Sequence, residues 1–281
     1  MMNVGIIGLG LIGGSMAKAI HAHTDSYILG ANRSHGVVER ALEEGVLQEE
    51  LTFENADKCD MLIVALYPKD VVEKVKTYAP YLKKGAIVVD CTGVKKFVSN
   101  ELSKYLSDMG LCFVGGHPMA GKEVAGYANA DTDLFNRASM ILTQDEYTSE
   151  EAFNTAAEFF SEVGFKMIKE STPVEHDKVI AYTSQLCHVV SNAFIKSPTC
   201  DLRYGFSAGS FKDLTRVAKL DEYMWTDLFL ANKEALLDEI NIFMSHMEEY
   251  KEALENEDKE TLIRILGEGR QLKEDDIKKE Q

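Results

Sequence analysis

The sequence predicts an α/β protein with a doubly wound, mostly parallel sheet, followed by an all-helical C-terminal part. A glycine-rich turn, lying between an apolar run and a helical pattern, opens the chain. Strand and helix patterns then alternate up to about residue 170, as in parallel sheets with helices on both faces. From residue 171 onward only helical periodicity remains. These features predict two domains, residues 1–170 and 171–281, as the chain length also suggests.

The first element is a strand–turn–helix unit at residues 4–15, V-G-I-I-G-L-G-L-I-G-G-S. In such a turn one glycine permits the tight bend, a second lets the backbone approach a pyrophosphate, and a third allows close helix–strand packing. Free N–H groups and the helix dipole then favour an anion. The unit predicts a Rossmann domain that binds a dinucleotide, with a glycine turn that has no ligand as the alternative. The predicted contacts are Gly8, Leu9, Gly10, Leu11, Ile12 and Gly13.

The residues after the second predicted strand, 26–31, bear on the type of cofactor. An acid about 20 residues beyond the glycines would bond the ribose 2′-hydroxyl of NAD and repel a 2′-phosphate. This chain has Asn32, Arg33 and Ser34 there. A cation and a hydroxyl favour NADP. If Arg33 is only a solvated surface residue, NAD remains the alternative.

The remaining elements of the first domain continue the alternation. Pro68 suits the first position of a helix, and residues 60–66 form the continuous apolar run of a strand covered on both faces. The sequence predicts helices over residues 37–47, 68–78, 96–106 and 150–163, and strands over residues 60–66, 86–91, 112–115, 138–143 and 166–168.

The second domain contains long amphipathic helices. We predict helices over residues 174–196, 211–218, 222–250 and 261–266, with a charged, frayed tail over residues 267–281. These helices have little surface of the first domain left to cover. A homodimer that buries them against each other is therefore expected.

Composition and charge narrow the class of partner. The formal net charge is −16, which argues against nucleic acid as a ligand, because that requires a cationic surface. Five scattered cysteines without a C-x-x-C pair fit a reducing compartment and argue against a disulfide framework or a metal site. No leader or membrane-spanning run is evident, so we expect a cytoplasmic protein without a membrane partner.

Two polar clusters follow neighbouring buried strands, at residues 92–95 and 117–121. Ligands of open α/β sheets bind beyond the carboxyl ends of the strands. His117, beside Pro118, is therefore well placed as a general base near neutral pH. A histidine bonded to backbone in a loop is the alternative.

The helical domain supplies further candidates. His176 and His188 are separated by about three helical turns and can share a face, with Gln185 close to His188. Arg216 could hold a carboxylate bidentately, although a salt-bridged surface helix is the alternative. From the pattern alone, Trp225 is more typical of a core.

Taken together, the motifs resemble a known family. The segments at residues 8–15, 116–121 (G-H-P-M-A-G), 175–177 (E-H-D) and 211–218 (F-K-D-L-T-R-V-A), with Trp225, occur in the order found in prephenate and arogenate dehydrogenases of tyrosine biosynthesis. The resemblance extends over nearly the whole chain. It implies a Rossmann domain followed by a helical dimerisation domain.

The resemblance also implies an activity: NAD(P)-dependent oxidative decarboxylation of prephenate to 4-hydroxyphenylpyruvate and CO2. His117 would take the proton of the ring hydroxyl while the ring C–H passes hydride to the nicotinamide. Arg216 would hold a substrate carboxylate, and His188 and Trp225 would line the pocket. Arogenate as substrate, or a cofactor-binding sensor without catalysis, are the alternatives.

Two positions depart from the family pattern. Many members carry a serine beside the cofactor in D-x-G-S-V-K, whereas this chain reads D-C-T-G-V-K over residues 90–95. Thr92 would then supply the hydroxyl one position earlier, as a catalytic and cofactor-contacting group. Many members read S-H-L-P-H in the long helix, where this chain has Gln185 in place of the first histidine. Gln185 is therefore expected to contact substrate.

Overall fold

A computed structural model describes residues 1–122 and 124–280. Within these residues, eight strands form one sheet in the order β3-β2-β1-β4-β5-β6-β7-β8. The strands are β1 (Asn3–Ile7), β2 (Tyr27–Ala31), β3 (Glu49–Glu50), β4 (Met61–Val64), β5 (Ile87–Asp90), β6 (Cys112–Pro118), β7 (Ser139–Thr143) and β8 (Met167–Ser171). The first six strands are parallel, whereas β7 runs antiparallel to β6 and β8 runs parallel to β7. The predicted doubly wound, mostly parallel sheet is confirmed.

Helices cover both faces of this sheet. They are α1 (Leu11–His23), α2 (His35–Glu43), α3 (Pro68–Tyr78), α4 (Lys96–Asp108) and α5 (Glu150–Val163). Met61 and Ile63 of β4 pack into one hydrophobic core, and Leu62 and Val64 pack into the other. Successive side chains of a strand point to opposite faces, so each face of the sheet has its own core.

Local signals account for the helix boundaries that the sequence predicted well. Helix α3 begins at Pro68, whose missing N–H costs nothing at a first helical position. Ser149 caps α5 by accepting a hydrogen bond from the N–H of Ala152, and Gly164 ends it in a left-handed conformation with φ 108°.

Strand β6 is longer than predicted and changes the setting of His117. The sequence suggested a strand over residues 112–115 with His117 at the strand end, and a histidine in a loop as the alternative. In the structure β6 continues to Pro118, because residues 115–118 pair antiparallel with 140–143 of β7. His117 is therefore held by a β-ladder opposite Ile141 rather than by a loop.

The helical region contains α6 (Pro173–Ile180), a π-helical stretch over residues 181–186, α7 (Cys187–Phe194), α8 (Gly209–Thr215) and α9 (Glu222–Ala231). The helix predicted over residues 222–250 is divided, since α9 ends before Asn232 and α10 covers Lys233–Glu255. Helix α11 (Lys259–Glu280) extends through the segment expected to fray. Ion pairs one turn apart support it, such as Arg270 with Glu274.

The chain forms two compact units, residues 1–232 and residues from Lys233 onward. The first contains the sheet and α1 to α9, and the second contains α10 and α11. The functional division at residues 170/171 stays a prediction. Among the described residues, no helix has the length and apolar content needed to cross a membrane.

Candidate active site

The glycine turn between β1 and α1 forms an open backbone cradle. Gly8 has φ +91°, a conformation that favours glycine. A Cβ on Gly13 would lie 1.8 Å from the carbonyl oxygen of Gly8, so only glycine permits this helix–strand contact. At Gly10 a Cβ would meet nothing within 4 Å, and no side chain caps the N-terminus of α1. The half-buried Leu11 and Ile12 begin this helix. The turn therefore fits the pyrophosphate of a dinucleotide.

Asn32 joins the end of β2 to this turn. Its Oδ1 accepts a hydrogen bond of 3.0 Å from the N–H of Leu9, and its Nδ2 donates to the carbonyl of Ser34 at 3.3 Å. The amide is thus used to hold the turn. Arg33 and Ser34 are exposed directly beyond it. Of the predicted cofactor residues 32–34, the structure bonds Asn32 to the glycine turn, and Arg33 and Ser34 follow it in sequence.

A buried ion pair links the ends of β5 and β6. Lys95 and Asp90 are both fully buried, and the ammonium of Lys95 contacts the Asp90 carboxylate and the carbonyl of Gly116. The other carboxylate oxygen accepts a 3.1 Å hydrogen bond from the N–H of Gly116. These bonds fix the backbone directly before His117.

Thr92 lies inside this network. Its N–H donates to Asp90 at 2.9 Å, and its hydroxyl faces the Asp90 carboxylate and the carbonyl of Val94. Thr92 is buried. The geometry gives its hydroxyl a part in holding the turn after β5, and a catalytic or cofactor contact by Thr92 stays a prediction.

One ring nitrogen of His117 is hydrogen-bonded, whereas the other, Nε2, lies beside Gly93. Nδ1 lies 2.9 Å from Nε2 of His176. A Cβ on Gly93 would lie 3.8 Å from Nε2 of His117, so the glycine leaves space beside that atom. Burial holds the pKa of His117 well below 6.5, and the nearby His176 and Lys95 lower it further. The imidazole is therefore neutral near pH 7 and can accept a proton at Nε2.

Sequence reasoning missed the partner of His117. His176 was expected to share a helix face with His188, but its ring instead lies between His117 and Asp177, whose Oδ1 is 2.7 Å from Nδ1 of His176. The E-H-D motif at residues 175–177 was the available signal, but the pattern assigned it no role.

His188 and Trp225 form a second group of ring side chains. Their ring centroids are 3.9 Å apart, and Nδ1 of His188 lies 3.1 Å from the carbonyl oxygen of Val217. His188 therefore anchors the peptide that follows Arg216, an exposed residue at the end of α8. Trp225 is half-buried, so it lies outside the core that its pattern suggested.

Helix α9 brings this group towards His117. A Cβ on Gly93 would lie 3.6 Å from Leu228, and Leu228 is three residues beyond Trp225, on the same face of the helix. Gln185 is buried, donates to the carbonyl of Leu228 at 3.4 Å and accepts from Asn232 at 2.9 Å. Its side chain supports α9, and substrate contact by Gln185 stays a prediction.

Two family models match the chain. "Prephenate dehydrogenase, nucleotide-binding domain" covers residues 16–169, and "Prephenate dehydrogenase, dimerization domain" covers residues 172–268. Among curated proteins, the chain is 30% identical to prephenate dehydrogenase of Lactococcus lactis subsp. cremoris, over 98% of this chain and 77% of that protein. It is 32% identical to cyclohexadienyl dehydrogenase of Zymomonas mobilis, over 93% of this chain and 91% of that protein.

Solved structures agree with these matches. Prephenate dehydrogenase from Aquifex aeolicus, in complex with hydroxyphenyl propionate and NAD+, superposes with a TM-score of 0.87 at 29% identity, covering 99% of this chain and 98% of that one. Synechocystis arogenate dehydrogenase superposes with a TM-score of 0.85 at 26% identity, covering 98% and 99% of the two chains. The fold, the glycine cradle and these matches lead to one conclusion: the chain belongs to the prephenate dehydrogenase family.

Proposed function

We propose that this protein is a prephenate dehydrogenase, converting prephenate to 4-hydroxyphenylpyruvate and CO2 in tyrosine biosynthesis. The observation that carries the proposal is the neutral His117, whose Nε2 lies beside Gly93 and has no hydrogen-bond partner in residues 1–122 and 124–280. Such a base suits removal of a hydroxyl proton. The names of the relatives in Lactococcus lactis and Aquifex aeolicus support the same reaction.

Each group of site residues has its own role in the proposed reaction. A nicotinamide dinucleotide, held by residues 8–13 and 32–34, supplies the hydride acceptor when bound. Nε2 of His117 accepts the hydroxyl proton as the adjacent C–H electron pair leaves as hydride. Breakage of the ring carbon–carboxylate bond releases CO2 and returns two electrons to the ring, and the resulting phenolate oxygen takes the proton back from Nε2 of His117. Arg216 holds a carboxylate of the substrate, since a guanidinium can bind one bidentately.

The proposal is tested by mixing the purified protein with prephenate and either NAD or NADP. We expect reduced nicotinamide absorbance and one equivalent of CO2 for each 4-hydroxyphenylpyruvate formed. Cofactor binding without turnover of any cyclohexadienol would instead identify the sensor without catalysis.

Arogenate is the second candidate substrate. The relatives include a cyclohexadienyl dehydrogenase and an arogenate dehydrogenase. Arogenate carries an amino group where prephenate has a keto group, and the sequence offers no clear carboxylate to pair with it. We therefore expect kcat/KM to be higher for prephenate, and a higher value for arogenate would reverse this assignment.

We further propose NADP as the preferred cofactor. The support is local: Asn32 bonds the glycine turn, and the exposed Arg33 and Ser34 follow it where an acid would favour NAD. A guanidinium and a hydroxyl at this position suit a 2′-phosphate. The ratio of kcat/KM values for the two cofactors tests this preference.

A homodimer through the helical domain is the proposed assembly. Helix α10 carries exposed large apolar side chains, namely Leu237, Ile242, Met244, Met247 and Leu254. Exposed apolar surface of this kind marks an interface, and the matching family model is described as a dimerization domain. Sedimentation at micromolar concentration should give twice the mass of one chain, and Met244→Lys should shift the protein towards monomer.

A cytoplasmic location is proposed as well. Its support is the five cysteines, which are all free thiols, as is usual in a reducing compartment. Fractionation of the source cells should recover the activity with cytosolic markers.

A further inference from the structure

Three buried side chains form a hydrogen-bonded row that ends at His117. Oδ1 of Asp177 lies 2.7 Å from Nδ1 of His176, and Nε2 of His176 lies 2.9 Å from Nδ1 of His117. His176 and Asp177 are each 2% exposed. The row joins α6 to β6. Within residues 1–122 and 124–280, Nε2 of His117 is the only ring nitrogen of the row that has no hydrogen-bond partner.

The direction of the hydrogen bonds is determined at the Asp177 end. The Asp177 carboxylate accepts the backbone N–H of Lys95 at 2.7 Å and that of Lys96 at 2.9 Å, at the start of α4. Backbone N–H groups can only donate, and the helix N-terminus favours the negative charge. The carboxylate is therefore an acceptor, and Nδ1 of His176 must carry the hydrogen that it accepts.

The same reasoning passes through His176 to His117. Burial lowers the pKa of His176, against the opposing effect of Asp177, so this ring is neutral near pH 7. A neutral imidazole with hydrogen on Nδ1 has a lone pair on Nε2. Nδ1 of His117 therefore donates to His176, and Nε2 of His117 carries no hydrogen.

We infer that His176 and Asp177 are positioning residues that hold His117 in the Nδ1–H tautomer, with the Nε2 lone pair directed at the substrate hydroxyl. The kinetic part of this inference rests on the proposed function. When the O–H bond of the substrate breaks, an N–H bond forms at Nε2 and the imidazolium keeps its Nδ1–H bond to His176. The Asp177 carboxylate at the far end of the row stabilises the positive charge, as the aspartate of a serine-protease triad does.

Other charges near the base do not supply this stabilisation. The ammonium of Lys95 opposes a second positive charge, although it is paired with the buried Asp90. The row through His176 instead leads to the Asp177 carboxylate. Among the described residues, Asp177 accepts hydrogen bonds from His176 and from two backbone N–H groups, and no lysine or arginine side chain is paired with it.

The tautomer of His117 can be determined by NMR without an activity assay. In protein labelled with ¹⁵N-histidine, long-range ¹H–¹⁵N correlations distinguish a protonated ring nitrogen from a bare one, and the spectrum of His117→Asn identifies the resonances of His117. We expect the free full-length protein at neutral pH to show Nδ1–H and a bare Nε2. A spectrum with hydrogen on Nε2 of His117 would overturn the inference, whatever reaction the protein catalyses.

Two variants at one position separate positioning from structure. His176→Leu removes the acceptor for His117, whereas His176→Gln keeps an amide oxygen near the position of Nε2. We expect the leucine variant to lose about 100-fold or more in kcat, since loss of an orienting group that sets the tautomer costs up to about 10⁴-fold in a triad. The glutamine variant should recover to within about 10-fold of the parent, with cofactor affinity and Tm retained.

His23→Leu is the matched control. His23 also bonds through Nδ1, to the carbonyl of Val163 at 2.8 Å, but it lies outside the row and should leave kcat unchanged. Equal kcat in the leucine and glutamine variants at position 176 would contradict the inference. If no cyclohexadienol is turned over by the parent protein, the proposed function fails, and the NMR spectrum alone then decides the tautomer.

Discussion

Lys95 and Asp90 form an ion pair in which both side chains are fully buried. The pair lies between the ends of β5 and β6. Lys95 also donates to the backbone carbonyl of Gly116, and Asp90 accepts a hydrogen bond from its backbone N–H. Because Gly116 directly precedes His117, this pair places the backbone from which the proposed base extends.

Lys95→Met should lower the free energy of unfolding by about 3–5 kcal/mol, because it leaves a buried carboxylate without its cation. Combining it with Asp90→Asn should restore part of the loss. Lys104→Met is the control, since Lys104 and Asp108 form an exposed pair on α4 and its loss should cost less than about 1 kcal/mol. Urea denaturation gives the free energy of unfolding of the parent, the two single variants and the double variant. Equal losses for Lys95→Met and Lys104→Met would contradict the argument.

Of two alanine substitutions in the glycine turn, one should lower stability and the other should lower cofactor affinity. Gly13→Ala forces a Cβ against the carbonyl oxygen of Gly8 and should destabilise the fold by about 1–3 kcal/mol or more. Gly10→Ala places its Cβ in open space, so Tm should hardly change. Its methyl group would nevertheless occupy the backbone approach to a pyrophosphate, and cofactor affinity should fall about 10-fold or more. Calorimetry and thermal melts together test both variants; unchanged cofactor affinity in Gly10→Ala would count against the cradle.

His117→Asn should reduce kcat about 100-fold or more, the usual effect of losing a general base. His117 is on β6 and bonds His176 rather than the glycine turn, so the dissociation constant of the cofactor should stay close to that of the parent. Stopped-flow kinetics measures kcat, and fluorescence titration measures the dissociation constant of the cofactor. Turnover near the parent value would remove His117 from the proposed role.

The acid side of the pH–rate profile should fall at a pH below 6.5. Burial, His176 and Lys95 all lower the pKa of His117, so the neutral base persists below the pH at which a free histidine becomes protonated. Activity is then lost only as the pH falls through the lowered pKa. Plots of log kcat/KM against pH should show this limb, and a midpoint above 6.5 would be inconsistent with the buried base.

Arg33→Ala should lower the ratio of kcat/KM for NADP to that for NAD by about 10-fold, as expected for loss of a guanidinium that binds a phosphate. Arg270→Ala is the control, because Arg270 is an exposed arginine of α11 paired with Glu274. If both variants keep the parent ratio, the residues after β2 do not select the cofactor.

Several features of this protein follow from the sequence because their causes are local. The glycine turn is determined by the φ of Gly8 and by the close approach at Gly13, which no other residue permits. Alternation of apolar runs with helical periodicity gave the sheet, and Pro68 and Ser149 specified helix starts through their own backbone and side-chain chemistry. The position of His117 near a strand end was evident for the same reason.

The surroundings of His117 were decided by the tertiary structure. Its strand continues to Pro118 only because β7 pairs with it, and its partner His176 is 59 residues away in sequence. Asp177 bonds the start of α4 from a distance of more than 80 residues. Such contacts depend on how whole elements pack, and no residue spacing within one segment encodes them. The sequence alone therefore pointed to His117 as the proposed base, whereas the packing of α6 against α4 and β6 decided which of its ring nitrogens bonds His176.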